Sequence, residues 1–162
     1  MAVTSIGDND SVLSWTLFGE SGSERMRAIG QDTNPCPMLG GQPTSISGFW
    51  GKEEEGLGGA SVLLTDVVHA EIHYLYDDNG NPVWLQAAGA VGDGVILSQF
   101  EGFCPTCAES GTPSVNVGVL TPMFSSDMEG NWNLNYMLES PLSGDINRDD
   151  LVVKISDVRA CD

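Results

Sequence analysis

Short apolar runs, alternating or continuous, recur along the whole chain, each closed by Gly, Pro, Asn or Asp. Those that read as strands cover residues 12–18, 25–29, 60–64, 69–76, 83–90, 95–100, 115–124, 132–138 and 151–158. Their even spacing predicts an all-β chain, an antiparallel β-sandwich or barrel of eight or nine short strands. No segment has the period of a long amphipathic helix, and 20 glycines weigh against one. Residues 1–11 and 19–24 read as loosely held or looped. The stretch "PTSISGFWGKEEEGLGGAS" reads as an acidic loop that follows an aromatic anchor, Phe49 and Trp50.

The clearest local pattern is a hairpin. In "HAEIHYLY" the alternation separates Ala70, Ile72, Tyr74 and Tyr76 from His69, Glu71, His73 and Leu75, and the first set is expected to face the core. The following "DDNGNP" suits a tight turn, because Asn79 and Gly80 tolerate positive φ and Pro82 needs no ladder donor. Asp77, Asp78, Asn79 and Asn81 are thus expected to build the turn, with a bound cation as the alternative.

The chain has 162 residues, enough for one hydrophobic core that removes roughly 70% of the unfolded surface from water. One domain over residues 1–162 is expected. A net charge of -17 argues against nucleic acid as a partner, since the six basic residues are scattered and cannot line up phosphate contacts. No run of about 20 apolar residues is present to form a membrane-spanning helix. The opening "MAVTSIGDNDSVL" lacks the basic and apolar regions of a signal peptide.

Four cysteines allow three pairings. Structural zinc needs two spaced pairs or added histidines, and only "CPTC" has ligand spacing. A redox role for that motif needs a helix, whereas "FEGFCPTCAESGTPS" reads as a loop. Two structural disulfides are expected, Cys104 with Cys107 closing a loop and Cys36 with Cys161 tying the ends. Disulfides imply an oxidising compartment, so the chain is expected to be secreted, extracellular or periplasmic.

Chemistry is sparse. On a strand, His69 and His73 lie roughly 13 Å apart, too far to share one ion. No G-x-S-x-G elbow supplies a nucleophile, and no carboxylate pair stands out, so no enzyme is expected. In "SGDINRDDLV", Asp145, Asn147 and Asp149 occupy positions 1, 3 and 5 of a calcium loop and are the candidate metal ligands. Asp150 stands where that loop has Gly, and Ser156 where it has Glu. Among the aromatics, Trp50, Phe49 and Trp84 are the candidate ligand-binding residues, with Trp50 expected to be accessible.

The succession of "GFW", "YDDNGNPVWLQAAG", "FEGFCPTC" and "VGVLTPMFSSDMEGNWNLNY" resembles an uncharacterised all-β module of secreted bacterial proteins, over roughly residues 47–140. The resemblance implies export and a β fold, and no established activity. The "GKEEEGLGG" segment departs from the acidic-to-Gly pattern of that module. Two functions are therefore expected of the chain. The first is a structural or assembly subunit that contacts itself or a neighbouring surface protein. The second is an accessory module that binds a polysaccharide or another ligand through aromatics, with Ca²⁺ as candidate cofactor.

Overall fold

A computed structural model describes residues 2–7, 10–17, 19–27, 36–52, 58–91, 94–100, 114–156 and 161. Among them every regular element is a strand. The chain divides into two compact units, Met1–Thr33 and Asn34–Asp162, where the sequence led us to expect one domain.

The first unit is an antiparallel meander of β1 (Ala2–Ser5), β2 (Asp10–Leu17) and β3 (Glu20–Arg27), with β2 in the middle. Within the stretches expected to be loose, residues 2–5, 10–11 and 20–24 form strands of it, because their small polar residues pair through the backbone without an apolar pattern. Arg25 and Arg27 both reach Asp10, at 2.6 and 3.5 Å. The hydrogen bond from Arg25 holds the Asp10 carboxyl below its usual range.

The second unit opens with a two-stranded ribbon, β4 (Met38–Leu39) and β5 (Gln42–Pro43). Eight strands follow: β6 (Gly48–Lys52), β7 (Gly59–Leu64), β8 (His69–Tyr76), β9 (Pro82–Gly89), β10 (Val95–Phe100), β11 (Ser114–Phe124), β12 (Glu129–Met137) and β13 (Asp145–Lys154). Each pairs with the next, and β13 returns to β6, so the sheet closes into an up-and-down antiparallel barrel. The fold class is thus all-β, and of sandwich and barrel it is the barrel.

Alternation fills the lumen. Val62 and Leu64, Val83, Leu85 and Ala87, Val95 and Leu97, and Trp132 and Leu134 all turn inward and are buried, while their sequence neighbours face out. Closure uses three residue pairs, Val152 with Lys52, Val153 with Gly51, and Lys154 with Trp50. Phe49 N–H donates to Ser156 Oγ at 3.0 Å, and Ile155 N–H to Phe49 O at 2.8 Å, extending the seam. Gly48 sits at φ 149°, and a Cβ there would collide with the Ser156 hydroxyl and the Lys154 chain. The aromatic anchor Phe49 and Trp50 and the two residues after it are therefore a barrel strand, made recognisable only by its partner, and residues 53–57 of the expected acidic loop lie outside the described residues.

β13 also begins six residues earlier than its apolar run, at Asp145. Its inward positions include Arg148 and Asp150, which conceal the alternation. Asp150 accepts from Lys52 Nζ at 3.2 Å and Arg148 Nε at 2.8 Å, so these charges enter the wall as a satisfied group.

Cys36 and Cys161 form a disulfide across 125 residues, as expected, joining the entry of the barrel unit to the chain beyond β13. Cys104 and Cys107 lie outside the described residues. Replacing Cys36 and Cys161 together by Ser is expected to lower stability by about 4 to 5 kcal/mol, the loop-closure entropy of so long a loop. Denaturant titration checks it, and an unchanged midpoint would show that the bond constrains the unfolded chain little.

Candidate functional site

Two arrangements in the barrel unit combine chemistry-bearing side chains: a polar line inside β8 and an aromatic row outside β6, β8 and β9.

The inner line corrects the expected facing of β8. His69, Glu71 and His73 point into the lumen, each at most 2% exposed, while Ile72 and Tyr76 face out. The three alternate along one strand, so one Glu71 carboxylate lies between the two imidazoles. His69 Nε2 donates to Glu71 Oε1 at 2.7 Å, and His73 Nε2 to Oε2 at 2.8 Å. Such mutual satisfaction is what permits three polar groups in a core. The i, i+2, i+4 spacing of His, Glu and His is the signal in the sequence. It was masked because polar residues are ordinarily assigned to the wet face.

Burial alone would push the Glu71 carboxyl up, but the hydrogen bonds from His69 and His73 outweigh it and hold the group below its usual range. Glu71 is therefore the ionised acceptor, and each ring presents an Nε2–H to it. His73 stands edge-on to Trp132, with ring centres 4.8 Å apart. His73 Nδ1 and Trp132 Nε1 are buried without a hydrogen-bond partner among the described residues. Both residues border a void of about 10 Å³, the size of one water, next to Lys52, Arg148 and Asp150.

The outer row consists of Phe49, Tyr74 and Trp84. Phe49 and Trp84 are 50% and 67% exposed, and Tyr74 between them is half-buried. The Phe49 and Tyr74 rings are nearly parallel with centres 6.1 Å apart, and Trp84 meets Tyr74 at 6.4 Å, edge-on. Register explains the row: Phe49 pairs with Ser61 and Tyr74 with Trp84, so three side chains emerge on the same outer surface. The Tyr74 hydroxyl and Ser61 Oγ lie 3.2 Å apart and set polar groups into it.

Of the three aromatics expected to bind, Phe49 and Trp84 lie in this row and Trp50 does not. Trp50 is fully buried, its Nε1 donating to Ile46 O at 2.8 Å and its ring packed on Phe124. The reason is parity: the neighbour of an outward Phe49 must point inward, and the lumen takes the larger ring. Lys154 Nζ lies 5.9 Å from the Trp50 ring centre and donates to Ser45 O at 2.6 Å; burial pulls its ammonium below the usual range.

The calcium arrangement does not form. Asp145, Asn147 and Asp149 lie along the exposed face of β13, each about 7 Å from the next, where a calcium loop would curl them round one centre. Asp149 instead accepts from Asn133 Nδ2 at 2.8 Å. No cluster of three His, Cys, Asp or Glu is placed to hold a metal among the described residues. The "DDNGNP" loop is a turn, as expected. Asp77 Oδ1 accepts from the Asn79 and Asn81 amides, Oδ2 accepts from Asn81 Nδ2, and Gly80 takes φ 80°. Asp78 N–H and Asn79 Nδ2 dock the turn on Ser143.

Compared with known proteins, the chain matches no family model, and no curated protein or solved structure matches it at a significant level. No helix among the described residues is long and apolar enough to cross a membrane.

A depressed carboxyl contributes stability above its unfolded value, about 4.3 for Glu, and loses it as pH falls through the folded value. Acid unfolding of the barrel is thus expected to steepen below about pH 4.3. Glu71→Ala should remove that component and orphan two buried N–H groups, at about 1 to 3 kcal/mol each. Stability curves from pH 7 to 2 test both; parallel curves for the two proteins would sink this role.

Proposed function

We propose that the barrel unit is a non-catalytic binding module of an exported protein, and that its outer aromatic row binds the sugar rings of a polysaccharide. The observation that carries this is the alignment of Phe49, Tyr74 and Trp84 on one outer surface, two of them half or more exposed. Three aromatics gathered in one row leave more apolar area in contact with water than polar residues would. In return they offer flat apolar area with hydroxyls at its margin, which suits the apolar face and hydroxyl rim of a sugar. The Cys36–Cys161 disulfide fits an oxidising compartment, where such polymers are met. The acidic surface argues for a neutral glycan rather than a polyanion.

The second reading is assembly with copies or neighbours. A closed barrel has no free strand edge, which removes the edge-pairing route for that unit. The three-stranded sheet supports the reading, since β1 and β3 each pair with β2 only.

Retention on neutral cellulose, chitin and xylan tests the first reading. Trp84→Ala is expected to weaken binding about tenfold, roughly 1.4 kcal/mol, with an unchanged unfolding midpoint because the ring is exposed. Retention on none of the three, or an unaltered affinity in the variant, would reject it. Light scattering after size exclusion decides the second: oligomers would support assembly, and a strict monomer would rule out self-assembly.

A further inference from the structure

We propose that the barrel lumen holds a second binding site, at the His69 end, for a small neutral apolar molecule carrying one hydrogen-bond donor, with His69 Nδ1 as the acceptor. The site is separate from the outer aromatic row and does not depend on it.

The cavity measures about 190 Å³. Leu39, Ile46, Leu64, Val91 and Phe124 line it, and Met38, largely exposed, stands at its margin. An apolar cavity of roughly 150 Å³ is enough to admit benzene, so this one holds a single aromatic ring with a substituent. Among the described residues that line it, His69 alone has a nitrogen or oxygen in its side chain, and it is 2% exposed. One polar point in an apolar enclosure fixes the orientation of a guest and the kind of group it must carry.

That kind is set by the polar line behind it. Glu71 as a carboxylate is acceptor-only and takes the Nε2 proton of His69 at 2.7 Å. The tautomer with its proton there has its lone pair at Nδ1. His73, bonded to the other Glu71 oxygen at 2.8 Å, keeps the carboxylate from turning. A hydroxyl or N–H on the guest is therefore matched. A carboxylate is not, since it would bring a second negative charge towards Glu71, and no Lys or Arg among the described residues lines the cavity. The class is that of phenols and small apolar alcohols or amines in their neutral form.

The test titrates the intact disulfide-bonded protein with phenol, toluene and benzoate. Calorimetry gives the affinities, and ¹⁵N spectra of the imidazoles give the location. Phenol is expected to bind about fivefold more tightly than toluene, the worth of one hydrogen bond, and to shift the His69 Nδ1 resonance, while benzoate leaves it unmoved. His69→Phe should bring phenol to the level of toluene. If that variant does not fold, the wild-type spectra decide alone. Equal binding of phenol and toluene, preference for benzoate, no binding of phenol, or phenol shifts at the Trp84 indole without shifts at His69 would each overturn the proposal. None of these outcomes bears on retention by polysaccharides, so this site and the outer row fail or stand separately.

Discussion

Eight strands paired in one sequence-ordered sheet, each with one apolar face, bury that face here because the first meets the last, and three residue pairs between β6 and β13 make that meeting. Everything else in the barrel unit follows from closure. Once the sheet is shut, position along a strand decides inside from outside by parity alone, whatever the side chain. Trp50 goes in and Phe49 stays out for this reason, and so do the inward histidines of β8 and the outward Tyr74. The outer row and the inner line are two consequences of one register.

Parity also imposes a difficulty that the lumen resolves locally. Polar residues that fall on inward positions must find partners within side-chain reach. Glu71 serves two imidazoles, Asp150 serves Lys52 and Arg148, Gln99 bonds the backbone of Glu139 twice, and Lys154 bonds Ser45 O. Some of these partners share a strand, as in β8, and others reach across to a neighbouring strand or to a loop at a barrel end, as Lys52, Gln99 and Lys154 do. The polar lumen contributes to fixing the register as well as to stability, because a one-residue slip would break the contacts that cross between segments, Lys52 with Asp150, Gln99 with Glu139 and Lys154 with Ser45.

The same facts explain what could be read beforehand. β8 and β10 have the bounds expected of them, since turn residues flank them closely on both sides. β6 escaped notice because "GFWGK" carries two glycines, which are needed where its backbone lies against Lys154, Ser156 and Ile155 but read as loop in isolation. The start of β13 and the facing of β8 were misread for a common reason: charged and histidine side chains occupy core positions, so the polarity pattern that marks the wet face is reversed there. The exposed Trp84 was legible from its hairpin. The row it joins was not, because it depends on the pairing of Phe49 with a strand beyond an undescribed segment.

The distribution of basic residues has a further consequence. Lys52, Arg148 and Lys154 are drawn wholly or partly into the barrel wall, and Arg25 and Arg27 are paired with Asp10. Among the described residues these five cations are thereby paired or drawn inward, and with a net charge of -17 the chain presents a predominantly negative surface to an approaching molecule. Within it the aromatic row is a neutral window. Discrimination would then begin at a distance: anionic polymers are turned back within a Debye length of about 8 Å at physiological salt, and uncharged ones come close enough to be tested by shape.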